Sequence, residues 1–191
     1  MGDAATDAGR RDATADVALR QFDASPNCIA GDPQQALELQ VVYRSTGSFM
    51  PVGAAPIPLI QPPQGGQVLY IGVRARNIAG CSVTINTALV DTTTRAVVSL
   101  ESRPIFLELG TDGWLQPRQP TAASNYSNLP ACPRANLTRP IDGQTYELQV
   151  VLTDEQGRVG RASMNIVPTC GGATLCHCQC AQNYMLGMPC N

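Results

Sequence analysis

The chain has no lysine and a single histidine, His177; all thirteen basic residues are arginine. Charged residues make up only 15% of the 191, the formal net charge is -2, and no basic run occurs. That excludes the positive footprint by which proteins bind nucleic acid or an anionic membrane surface. No apolar stretch approaches the roughly 20 residues that a membrane-spanning helix needs. The longest, PVGAAPIPLI at 51–60, is short and interrupted by prolines. No apolar leader segment stands near the start, so the expectation is either a cytoplasmic protein or a mature form whose leader has been removed. Chemistry is equally sparse. G-x-S-x-G, the phosphate-binding loop, the dinucleotide fingerprint and H-E-x-x-H are all missing. DTTTR and TDEQG lack the alternating aspartates of a calcium loop. Glu101 and Glu108 are the carboxylates left for a small carbohydrate hydrolase, but acidic residues on strands are ordinarily a solvated face. The expectation is no enzyme and no cofactor.

What the chain does have is 17 glycines and 15 prolines against 5% aromatics, a composition that favours short strands and turns over long helices. Residues 1–26 hold five of the ten aspartates among Ala, Gly, Thr and Arg. They read as a disordered tether, with at most a helical turn or two at ADVALRQF. From Ala36 the apolar residues recur with period two, the spacing of half-buried strands. Leu37, Leu39, Val41 and Tyr43 share one face, as do Leu69, Ile71 and Val73, and then Val83, Ile85 and Leu89 with Cys81. AVVSL and PIFLEL read as two short strands. FMPVGAAPIPLIQPPQGG, with five prolines, suits an edge segment or loop. Residues 110–143 lose the pattern and read as a long loop, with one helical turn at TAASNYSNL. QTYELQVVLTDEQGRVGRASMNIVP is the most regular hairpin: Tyr146, Leu148, Val150 and Leu152 face inward, and DEQG turns the chain.

Seven or eight strands separated by turns predict an all-β sandwich over 27–169, followed by a cysteine-rich tail over 170–191. Residues 36–168 resemble an immunoglobulin-like or fibronectin-type domain, without the antibody pattern of Cys, Trp and Cys. Such domains bind through end loops or sheet edges. By that analogy the long loop offers Trp114, Tyr126 and Leu129 as a binding surface.

The eight cysteines are Cys28, Cys81, Cys132, Cys170, Cys176, Cys178, Cys180 and Cys190. An even count suits four disulfides and hence an oxidising compartment. Pairing Cys81 with Cys132 would pin the long loop to a strand, Cys28 would pair with Cys170, and the other four would pair within the tail. The alternative is a metal site made by Cys176, His177, Cys178 and Cys180 in reduced form. C-x-C-x-C lacks the two separated C-x₂-C pairs usual for zinc, and C-x-x-C, the redox spacing, is missing. In CHCQCAQNYMLGMPC, the order Cys178, Cys180, Tyr184, Gly187, Cys190 resembles the C-terminal half of an epidermal growth factor-like module. That resemblance implies a Cys180–Cys190 bridge.

GDAATDAGRRDATAD resembles the tether that follows the acylated cysteine of bacterial lipoproteins, with Met1 in the place of that cysteine. MGDAAT also fits the loose N-myristoylation pattern, but that modification implies a cytosolic face, against paired cysteines. Asn125 and Asn136 lie in glycosylation sequons and would be accessible in a loop. Together these readings predict a non-catalytic module at a bacterial cell envelope or secreted, lipid-tethered, binding a protein or a glycan or serving a structural role.

Overall fold

The computed structural model describes residues 28–134, 139–185 and 187–190. The tether expected at 1–26 and the sequon asparagine Asn136 lie outside the described residues. Strands β1 (Ile29–Ala30), β2 (Glu38–Ser45), β3 (Ser48–Pro51), β4 (Ile57–Pro58), β5 (Gln67–Arg76), β6 (Ile78–Ala79) and β7 (Ser82–Asp91) form the first half. The second half runs through β8 (Val97–Leu109), β9 (Leu115–Pro117), β10 (Ser127–Cys132), β11 (Tyr146–Thr153), β12 (Val159–Ile166) and β13 (Pro168–Thr169) to a short helix, α1 (Thr174–Gln179).

Two antiparallel layers result. One has the order β12–β11–β7–β8; the other has the order β3–β2–β5–β10. The far end of β8 leaves the first layer to pair with β9, whose Leu115 meets Ala75 of β5, so the layers join at one corner. Of the seven main strands, the first, second and fifth in chain order (β2, β5, β10) share one layer, and the other four form the second. In the constant-type immunoglobulin sandwich the fourth strand joins the first, second and fifth; here the fourth, β8, pairs with β7 in the other layer. The all-β sandwich expected from the sequence is the fold observed.

The core follows from the period-two pattern. Along β11 burial alternates at every residue, with Tyr146, Leu148, Val150 and Leu152 inside. They join Ile85, Leu89 and Ile105 from their own layer and Leu69, Ile71 and Val73 from β5 in one cluster. Each such side chain contributes about 1.5–3 kcal/mol of hydrophobic stabilisation. Tyr146, at the start of β11, donates its hydroxyl hydrogen to the Pro140 carbonyl, 3.1 Å away and six residues upstream. This is the tyrosine corner that fixes the entry to the same strand in immunoglobulin-like sandwiches.

The structure corrects the reading of 97–132. AVVSL and PIFLEL belong to one 13-residue strand, β8. The segment read as a long loop contains β9, a 3-10 turn at Ala123–Asn125, and β10. Proline and polar residues hid β10 from the pattern. Among the described residues it pairs only with β5, so Pro130 deprives no second neighbour there of a hydrogen bond. Tyr126 and Leu129, expected on a binding surface, are both fully buried. Leu129 sits in the main core. Tyr126 packs on the outer side of β5 against Val68 and Tyr70 and donates its hydroxyl hydrogen to the Pro120 carbonyl. Burial pushes its phenol up to about 12. Asn125 is buried as well, its side-chain amide donating to the Arg118 carbonyl; this sequon is therefore not the accessible one expected.

All eight cysteines are paired: Cys28–Cys81, Cys132–Cys180, Cys170–Cys176 and Cys178–Cys190. Each specific partner expected from the sequence is corrected. Cys132 follows the residues of β10 that pair with the first residues of β5, whereas Cys81 follows its last residues. Ten residues of strand, roughly 30 Å, keep the two apart. Cys28 instead closes the strap β1–β6 onto the start of β7. In the tail, helical spacing decides: Cys176 and Cys180, four residues apart, share one buried face of α1. Cys178 lies off that face and takes Cys190, so the pairing implied by the growth factor-like resemblance is not formed.

Candidate binding groove between the sandwich and the tail

Three pieces of chain meet over the outer side of β5 and β10. The first is the turn before β5. Gly65 N–H donates to the Pro62 carbonyl at 3.0 Å, and Ile60 and Val68 bridge across it. The turn requires glycine at 66, where φ is +73° and an added Cβ would lie 2.9 Å from the Cys132 carbonyl oxygen. The second is the end of β10, with Asn128 and Pro130 facing outward beside Tyr70 and Val68. The third is the tail, which contributes Gln179 and Tyr184. The Cys132–Cys180 bridge fastens the tail to the end of β10. Between them lies a groove of about 470 Å³, whose lining also includes Arg103 of β8.

The polar groups of this groove are mostly uncharged. Gln67 donates from Nε2 to Gln179 Oε1 at 2.7 Å, tying the sandwich to α1. Asn128 Oδ1 is buried with no hydrogen-bond partner among the described residues. Arg103 is ion-paired with Glu101 and donates to the Tyr126 carbonyl at 3.4 Å. Glu101 in turn accepts from Ser127 Oγ at 2.6 Å, and Ser127 meets Thr87 at 2.5 Å inside the sandwich. The arginine charge is thus compensated from behind. Primary amides donate and accept from one planar group. The prolines and the Tyr184 ring add apolar surface. The lining contains no carboxylate, imidazole, hydroxymethyl or free thiol.

The residues singled out from the sequence fall elsewhere. Trp114 lies half-buried on the outer side of the β5 layer, with the Arg74 and Arg76 guanidinium groups 5.3 and 5.0 Å from its ring centre. Glu101 and Glu108 are seven residues apart on one strand, roughly 23 Å in extended chain, and so do not form a hydrolase pair. Cys176, Cys178 and Cys180 spend their sulfurs in three different bridges. Cys170, Cys176 and Cys180 do bring donor atoms within 4.8 Å of one another, as do Asp142, Cys170 and His177. Zinc takes thiolates, not disulfide sulfurs. His177 turns to Asp142 Oδ2 through Nδ1, at 2.6 Å, and to the Gly171 carbonyl through Nε2, at 2.8 Å. Those two acceptors, the Gly171 carbonyl foremost, hold its pKa above the ordinary imidazole value. The groove residues Gln67, Asn128 and Gln179 carry no motif; what brings them together is the fold and one bridge.

Sandwich, bridges and groove together define the class: a disulfide-stapled β module, whose four bridges favour a place outside the cytoplasm. Among the described residues no helix is long and apolar enough to cross a membrane. No protein-family model matches the chain, and no curated protein matches it.

Proposed function

We propose that this chain is a non-catalytic binding module of the extracytoplasmic space, lipid-tethered to a bacterial envelope by its N-terminal segment, and that it takes a protein or glycan ligand in the groove. One observation carries this reading: the groove is walled by three elements, two of them joined by a covalent bridge, and its lining offers hydrogen bonds and apolar surface without a carboxylate, imidazole, hydroxymethyl or free thiol. The resemblance of residues 2–16 to a lipoprotein tether supports the anchoring. Nuclear magnetic resonance of the oxidised, ¹⁵N-labelled chain tests the site. Titration with envelope glycans and peptides is expected to shift the side-chain amides of Gln67, Asn128 and Gln179. Shifts confined to another face would move the site. The mass of the native N-terminus tests the anchor: an unacylated first residue would remove it.

A further inference from the structure

We propose that the groove recognises a neutral saccharide, one or two sugar rings at the end of a glycan. This rests on the groove being the binding site and names what it takes. The volume of about 470 Å³ lies toward the small end of the roughly 300–1,000 Å³ typical of small-molecule sites. With Arg103 compensated by Glu101, the groove has no net charge to draw a phosphate or carboxylate. A sugar hydroxyl both donates and accepts, and so does each amide in the wall. The single Gln67–Gln179 bond leaves Gln67 Oε1 as an acceptor and the second Nε2 hydrogen of Gln179 as a donor. Both residues line the groove, so each offers a group to a ligand hydroxyl. Asn128 Oδ1, buried and without a partner among the described residues, gains one if a ligand hydroxyl reaches it, which removes the cost of an unmade hydrogen bond. Tyr184 and Pro130 supply the flat apolar surface that the C–H face of a sugar ring covers.

An extended peptide fits less well. Peptides that add to a sheet need a free main-chain edge. Here β5 is paired on both sides, by β2 and β10. At the outer edge of β10, the Pro130 carbonyl already accepts from Ser99 Oγ at 2.5 Å, and Arg134 donates to the same hydroxyl at 2.8 Å. Proline-rich ligands need an aromatic-lined groove, and this lining has one ring, Tyr184.

The test uses the full oxidised chain and a panel of neutral disaccharides: maltose, cellobiose, lactose, mannobiose and diacetylchitobiose. A proline-rich decapeptide and a uronate disaccharide are titrated in parallel. At least one neutral disaccharide is expected to shift the amides of Gln67, Asn128 and Gln179, with a dissociation constant of about 0.1–10 mM. Tyr184→Ala is expected to weaken it about tenfold or more, and Tyr184→Phe much less, because the ring is retained. Gln149→Ala, on the opposite layer, is expected to leave it unchanged. If only the peptide or the uronate shifts those amides, the saccharide assignment falls and the groove stands. If no probe shifts them at about 20 mM, both fall. Unchanged circular dichroism of each variant separates lost binding from lost fold.

Discussion

Both ring nitrogens of His177 face acceptors, yet a neutral imidazole has one N–H to give. Only the imidazolium satisfies the Gly171 carbonyl and Asp142 together, which is why its pKa is raised. A raised folded value means stabilisation that is fully present below the unfolded pKa of about 6.5 and lost as pH rises through the folded value. His177→Gln is therefore expected to lower the melting temperature at about pH 5 and to converge with the parent at about pH 9. A difference that does not depend on pH would sink this account. Gly72 is a residue-scale constraint of another kind. A Cβ there would come within 2.8 Å of the Tyr126 ring and 3.2 Å of Pro117. Both belong to rigid groups, and Tyr126 is anchored by its hydroxyl. Gly72→Ala is expected to destabilise by about 1–3 kcal/mol in urea unfolding, as overpacking does.

At the scale of elements, α1 is the piece least able to stand alone. Six residues are far too few for a stable helix in water, and its first residues make no side-chain cap. Packing and bridges hold it. Cys132–Cys180 closes a stretch of 48 residues, Cys170–Cys176 one of 6. Loop-closure entropy makes the first worth about 4 kcal/mol and the second about 2 kcal/mol. Replacing Cys132 and Cys180 by serine is expected to cost the larger amount and to abolish shifts at Gln179 on ligand titration. Replacing Cys178 and Cys190, which close a stretch of 12 residues, is expected to cost about 3 kcal/mol and to leave the shifts at Gln67 and Asn128 nearly as they are. Legibility differed among elements for a physical reason. β11 and β12 alternate cleanly because one face of their layer meets solvent, so Tyr146 and Leu148 announced themselves. β5 is buried on both sides over most of its length, and β10 is short and carries Pro130. Their burial depends on what folds over them, chiefly the 3-10 turn and Tyr126, and no local pattern records that.

For the whole molecule, the bridges link the N-terminal strap, the seam of the sandwich and the tail into one covalent frame. The oxidised chain is expected to have an intact mass about 8 Da below the reduced one, two hydrogens per bridge. Reduction is expected to release the tail before the sandwich melts, because the core around Leu69, Ile85 and Leu148 contains no bridge between its layers. Tryptophan emission from Trp114 on the sandwich, followed with amide exchange in the tail, distinguishes the two steps; a single concerted loss would contradict this order.

The sequence by itself determined the class of fold, the even cysteine count and the compartment that count favours. It also determined the absence of a charged or catalytic signature. These follow from residue type and period, which act locally. Only the tertiary structure decided which cysteine meets which, because pairing depends on which strand ends share a side of the sandwich. Only it decided that Tyr126 and Leu129 are buried and that Trp114 lies under two arginines. The groove belongs to the same category. Gln67, Asn128 and Gln179 are far apart in the chain and unremarkable in type. They become a site because β5 pairs with β10 and a bridge from Cys132 folds the tail back over both.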